Sequence, residues 1–112
     1  SRELFGPVLN IVRVVSLEEA MKMERESIYG NAASVFTSNG AVAQYVAANA
    51  TAGMVGVNIG VPVPREPFSF GCTKDSRFGH GDITGRPSLD LWSQTKKVTT
   101  KWQLQSDANW MS

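Results

Sequence analysis

Ala33-Ser34-Val35-Phe36-Thr37-Ser38-Asn39-Gly40-Ala41-Val42-Ala43-Gln44-Tyr45-Val46-Ala47-Ala48-Asn49, followed by Gly53-Met54-Val55-Gly56-Val57-Asn58, is the stretch whose reading decides the fold. Ala33 to Thr37 reads as a short strand. Ser38-Asn39-Gly40 is a turn that can cap a helix from Ala41 to Asn49, with Val42, Tyr45 and Val46 on its buried face. Gly53 to Asn58 is a further strand, and two glycines inside it point to close backbone packing. Strand, helix and strand in that order make a crossover unit and hence a parallel sheet.

The same alternation extends upstream. Pro7 to Val15 is a β-branched run that predicts a buried strand. Ser16, with Glu19 three residues on, is a capping-box pattern that opens a helix running to about Ser27. Leu17, Ala20, Met21 and Ile28 lie at helical spacing, Glu24 is the misfit among them, and Tyr29-Gly30-Asn31 ends the segment. The expected class is therefore α/β, a small β-α-β-α-β unit with a parallel sheet. Residues 60–88 are a glycine-rich loop holding four of the five prolines. Loops that long in compact domains are usually functional. A short helix over Leu89 to Lys96, opened by Pro87-Ser88, and a strand over Val98 to Leu104 follow.

At 112 residues the chain is one domain's worth, long enough for a core of its own. A net charge of +1 argues against a nucleic-acid binder, and no run of apolar residues is long enough to span a membrane. The single cysteine, Cys72, rules out an internal disulfide and multi-cysteine metal sites, and it fits a reducing compartment. A chain opening on Ser1 rather than Met reads as a processed product or an excised fragment.

The residues offer little chemistry by themselves. Cys72 could be a nucleophile if a base or a helix N-terminus formed its thiolate. A small side chain tolerated in a glycine-rich loop is the plainer reading, and His80 reads as a solvated loop residue. Gly79, Gly81 and Gly85 fail the dinucleotide fingerprint, because Thr84 stands where its last glycine belongs. Glu18, Glu19, Glu24 and Glu26 are spaced as a solvated helix face. Phe68, Phe70 and Phe78 either line an apolar pocket or pin the loop to the core. Physics alone favours a structural role for Glu3. A non-catalytic α/β module for self-association or protein binding is therefore the competing reading.

A resemblance adds to this. Glu3-Leu4-Phe5-Gly6-Pro7-Val8 resembles the Glu-x-Phe-Gly-Pro-Val signature of the aldehyde dehydrogenase superfamily. Tyr29 to Thr37, Gly53 to Asn58 and Lys97 to Lys101 resemble further segments of that family, in family order. Val57 to Phe70, with Pro62-Val63-Pro64 and Phe68-Ser69-Phe70, is similar to its methylmalonate-semialdehyde dehydrogenase branch.

The resemblance implies a C-terminal fragment of an NAD-dependent enzyme. Such an enzyme oxidises malonate or methylmalonate semialdehyde through a cysteine thiolate. It passes the acyl group to coenzyme A, releasing carbon dioxide and giving acetyl- or propionyl-CoA. Residues 1–96 would belong to the catalytic domain, 97–104 would form an oligomerisation strand of a dimer or tetramer, and 105–112 a tail. Glu3 would accept hydrogen bonds from the nicotinamide ribose hydroxyls, Phe5 would flank the nicotinamide, and Phe70 would face the substrate. Cys72 matches no catalytic position, so this piece alone would be inactive. No metal site is implied, and the setting would be cytoplasm or mitochondrial matrix.

Overall fold

A computed structural model describes residues 2–102. Its elements run α1 (Leu17–Glu26), β1 (Tyr29–Gly30), β2 (Ala32–Val35), α2 (Gly40–Asn49), β3 (Met54–Val57), β4 (Thr73–Lys74) and α3 (Ser88–Trp92). Strands β2 and β3 pair in parallel, Ala32 against Met54 through Val35 against Val57. Helix α2 is their crossover and packs on β3. Strands β1 and β4 form a separate antiparallel pair.

Local chemistry places the helices as the sequence predicts. The Ser16 hydroxyl accepts the Glu19 amide at 3.1 Å, and Glu19 Oε2 accepts the Val15 amide at 2.9 Å. This is the reciprocal capping box, shifted by one residue on the acid's side. Asn39 Oδ1 caps α2, accepting from the Ala41 and Val42 amides at 2.9 and 3.3 Å. Beyond β3, Asn58 adopts φ +56°. Its side-chain amide then bonds both the N–H and the C=O of Thr37, continuing the β2–β3 ladder after the strands end.

Glu24, the misfit of the helical pattern, is half-buried for a reason. Its Oε1 accepts from the Thr51 amide, the Thr51 hydroxyl and the Ala52 amide at 2.8, 2.9 and 3.0 Å. The acid on α1 thus holds the turn that feeds β3. At the end of α1, Lys74 Nζ donates to the carbonyls of Glu24, Arg25 and Ser27 at 3.2, 3.0 and 2.9 Å. An ammonium suits the negative end of a helix.

The glycine expectation holds at Gly53 and Gly56. A Cβ on Gly53 would stand 2.5 Å from the Gly71 oxygen and the Cys72 nitrogen, and one on Gly56 2.8 Å from the Ile59 side chain. The close packing at Gly53 is therefore backbone against backbone, and it presses residues 71–72 onto the approach to β3.

Several expectations are corrected. Pro7 to Val15 is an exposed arm and not a buried strand; Ile11 is 83% and Val15 97% exposed. β-Branched residues favour extended backbone, but a strand exists only by pairing, and no bond among the described residues pairs this run. One crossover therefore replaces two. Ile28 and Tyr45 are exposed rather than buried, and the last helix stops at Trp92. The long loop contains β4, whose partner β1 is the segment read only as a helix stop.

The expected core is thin: Met21 and Val46 are the buried apolar residues among those described. The radius of gyration is 23.6 Å, against about 13 Å for a compact chain of this length. Residues 97–102 of the expected terminal strand are exposed and carry no strand pairing among the described residues. The rest of that strand and the 105–112 tail lie outside the described residues.

Candidate functional site

Strand β1 is the post on which the site is built. Its two residues alternate in facing. Gly30 turns inward, where a Cβ would collide with the Thr73 side chain. Tyr29 and Asn31, two residues apart, both line an open cleft. The backbone between them is fixed on several sides. Gly30 N–H donates to Ser76 Oγ at 3.0 Å. The Gly30 carbonyl accepts from Gly53 N–H at 2.9 Å and from Thr73 Oγ1 at 3.1 Å.

That cleft, about 620 Å³, is also lined by Glu3 and Phe5 of the arm and by Cys72 and Ser76 after Gly71. The structure thus brings Glu3 and Phe5 together. Glu3 is exposed, and among the described residues its carboxylate has neither a hydrogen bond nor an ion pair; its amide donates to Tyr29 Oη at 3.3 Å. Phe5 is 92% exposed at φ +43°. That conformation is uncommon for a non-glycine residue and tends to persist where function requires it.

Phe70 lines a second cleft of about 480 Å³ with Phe78, Ile83 and Arg77, and this cleft shares Cys72 and Ser76 with the first. The two clefts therefore meet at Cys72 and Ser76. Phe70 and Phe78 are both exposed in this cleft, and Phe68 is exposed outside it, so the loop aromatics do not pin the loop to a core. On the cleft's floor, Arg77 Nη2 donates to the Gly81 carbonyl at 2.7 Å and stands 3.9 Å from Asp82. Asp82 also accepts from Ser69 Oγ at 2.9 Å.

Cys72 is half-buried and free, and its Sγ donates to Asn31 Oδ1 at 3.2 Å. Among the described residues no base hydrogen-bonds it: His80 makes no hydrogen bond to it, and the Lys74 ammonium is committed to the α1 carbonyls. An amide oxygen as partner leaves the thiol without a proton acceptor of useful basicity. The described residues contain no group of three or more acidic, histidine or cysteine side chains able to hold a metal.

Sequence reasoning missed Tyr29, Asn31 and Ser76. The signal available was Tyr29-Gly30-Asn31 itself, two polar side chains flanking a glycine at strand spacing.

Comparison with known proteins gives a consistent answer. The family model described as "Aldehyde dehydrogenase family" matches residues 1–98. A malonate-semialdehyde dehydrogenase of Shouchella clausii is 44% identical over 100 residues, which cover 89% of this chain and 21% of that protein. A crystal structure of methylmalonate-semialdehyde dehydrogenase from Oceanimonas doudoroffii superposes with a TM-score of 0.84 at 40% identity, over 91% of this chain and 21% of that one. A structure from Sinorhizobium meliloti 1021, described under the same enzyme name and complexed with NAD, matches with a TM-score of 0.84 at 39% identity over the same shares. The chain spans about a fifth of the length of the curated relatives it matches.

Proposed function

Because this chain belongs to the aldehyde dehydrogenase family, we propose that it forms the rear wall of the active site of an NAD-dependent, CoA-acylating (methyl)malonate-semialdehyde dehydrogenase. The observation that carries this reading is the pairing of clefts. An exposed carboxylate and an exposed aromatic ring, Glu3 and Phe5, share one cleft, which joins the Phe70 cleft at Cys72 and Ser76.

The residues present fit a nicotinamide nucleotide. A carboxylate accepts and does not donate, so it suits a pair of neighbouring hydroxyls such as those of a ribose. The Glu3 carboxylate is exposed and has no competing partner among the described residues. The flat apolar face of Phe5 suits a planar ring beside that sugar. Bound NAD supplies the hydride acceptor, and coenzyme A, as co-substrate, takes the acyl group while the semialdehyde carboxylate leaves as carbon dioxide. The chain's own part is to orient: Glu3 holds the sugar, Phe5 limits the ring's tilt, and Phe70 with Phe78 and Ile83 gives the aldehyde chain an apolar surface.

The 112 residues by themselves are proposed to be inactive, because Cys72 matches no catalytic position of the family, and among the described residues its partner is an amide oxygen. Large exposed apolar residues such as Leu9, Ile11, Val61 and Phe36 support a larger body that covers them. Segment 97–104 is proposed to join the sheet of another subunit in a dimer or tetramer, within the cytoplasm or the mitochondrial matrix.

The test uses the intact enzyme that carries these residues. It should form NADH from malonate or methylmalonate semialdehyde, with acetyl- or propionyl-CoA as the product by mass spectrometry. Glu3→Gln should weaken NAD binding by about tenfold or more, the worth of a charge-assisted hydrogen bond. Unchanged NAD affinity in that variant, or a free acid as the only product, would overturn the respective part of the reading.

A further inference from the structure

The backbone that carries Phe70 is held by a later part of the same long loop. The Pro67 carbonyl accepts the Arg86 amide at 3.0 Å. The Phe70 amide donates to Thr84 Oγ1 at 3.1 Å. Between these two bonds, Gly85 lies against Phe68 and Ser69 at φ +64°, a conformation that glycine adopts without strain. A Cβ on Gly85 would stand 2.6 Å from the Ser69 nitrogen and 2.7 Å from the Phe68 carbonyl carbon, so backbone rests directly on backbone.

Side chains close this bracket at Asp82. Its Oδ2 accepts from Ser69 Oγ at 2.9 Å, and its Oδ1 faces Arg77 Nη2 at 3.9 Å. The same Arg77 nitrogen donates to the Gly81 carbonyl at 2.7 Å. Arg77 thus holds the backbone that leads into Asp82, and Asp82 holds the residue before Phe70. Ser69, Arg77, Asp82 and Thr84 are half-buried, whereas Phe70 is exposed in its cleft. All these groups lie within residues 67–86, so the bracket is built by this chain alone and stays in place when a larger body covers its surroundings.

We propose that Asp82 is a positioning residue for Phe70: by holding Ser69 it fixes the backbone from which the Phe70 ring faces the aldehyde chain. The inference rests on the reading of Phe70 as a substrate-side aromatic and adds what keeps that ring in place. A ring on a slack loop would have to be ordered when substrate binds, and that ordering would subtract from affinity. Asp82 acts through Ser69 and not on the substrate. Its two oxygens face Ser69 and Arg77, and a carboxylate would repel the carboxylate of a semialdehyde acid.

The experiment compares Asp82→Ala, Asp82→Asn, Phe70→Ala and the double variant of Asp82→Ala with Phe70→Ala in the intact enzyme. In Asp82→Ala, kcat/KM for the semialdehyde should fall about three- to tenfold, as loss of one hydrogen bond implies. The KM for NAD should stay within about twofold, which a general loss of structure would not do. Asp82→Asn keeps an oxygen for the Ser69 hydroxyl and loses only a partly exposed ion pair, so it should stay within about twofold of the parent. In the double variant the Asp82 change should add nothing to Phe70→Ala, because a ring that is absent cannot be misplaced. Independently of turnover, exchange of the Phe70 amide should quicken in substrate-free Asp82→Ala. Overturning results are an unchanged kcat/KM in Asp82→Ala where Phe70→Ala lowers it, effects that multiply in the double variant, or unchanged exchange at Phe70. Asp82→Asn as impaired as Asp82→Ala, or better than the parent on the semialdehyde, would also overturn it. If Phe70→Ala itself leaves kcat/KM unaltered, the reading of Phe70 falls and this inference falls with it, even where the Phe70 amide exchanges faster.

Discussion

Replacing Glu24 tests whether one acid on α1 holds the entry to β3. Three donors converge on Glu24 Oε1: two backbone amides, of Thr51 and Ala52, and the Thr51 hydroxyl, all at 2.8–3.0 Å. Hydrogen bonds to a charged group contribute about 1.5–3 kcal/mol each, but three that share one oxygen do not add. Thr51 and Ala52 are half-buried, so water can reach part of what is exposed when the acid goes. Glu24→Ala should therefore destabilise by about 2–4 kcal/mol.

Glu24→Gln keeps the acceptor oxygen but loses the charge. It also places an amide nitrogen where Oε2 now lies buried without a hydrogen-bond partner, so it should cost about 1–2 kcal/mol. The assay is urea unfolding of the intact protein, together with site-resolved amide exchange at Thr51 and Ala52. Local exchange is the sharper reading, because stability varies along a chain and this contact is local. If Glu24→Ala unfolds within about 0.5 kcal/mol of the parent and both amides exchange at the parent rate, the argument from converging donors is refuted.

Two further outcomes follow from the packing. Gly53→Ala would drive a Cβ to 2.5 Å from the backbone at Gly71 and Cys72, which cannot swing aside as a side chain would; unfolding should show a loss of about 1–3 kcal/mol, and full stability would mean the two backbones are not pressed together. Lys74→Met should remove the three carbonyl contacts at the end of α1 and quicken exchange in its last turn, whereas Lys74→Arg should recover most of the protection; equal exchange in Lys74→Met and the parent would refute the clamp.

Much was legible in the order of residues because the deciding interactions are local. A serine followed by a glutamate three places later, or an asparagine before an alanine-rich run, meets its backbone donors within one turn, so both long helices start where expected. The β2–α2–β3 crossover was equally readable, since an apolar run, a capped helix and a second apolar run admit few other arrangements. The motif Glu3 to Val8 pointed to the family and to Glu3 and Phe5 without any coordinates.

What only the tertiary structure decided is pairing between distant segments. The β-branched run Pro7 to Val15 has the composition of a strand but no partner among the described residues, and propensity without a partner leaves an exposed arm. Tyr29-Gly30 became a strand because Thr73-Lys74 lies beside it, a match across more than forty positions that no local pattern records. Glu24 looked out of place until the Thr51 and Ala52 amides arrived, and the meeting of the two clefts at Cys72 and Ser76 depends on Gly53 letting the two backbones touch. Caps and periodicities are carried within a few residues and can be read from them. Ladders, bonded charges such as Glu24 and clefts are made by groups that only the folded chain brings within bonding distance.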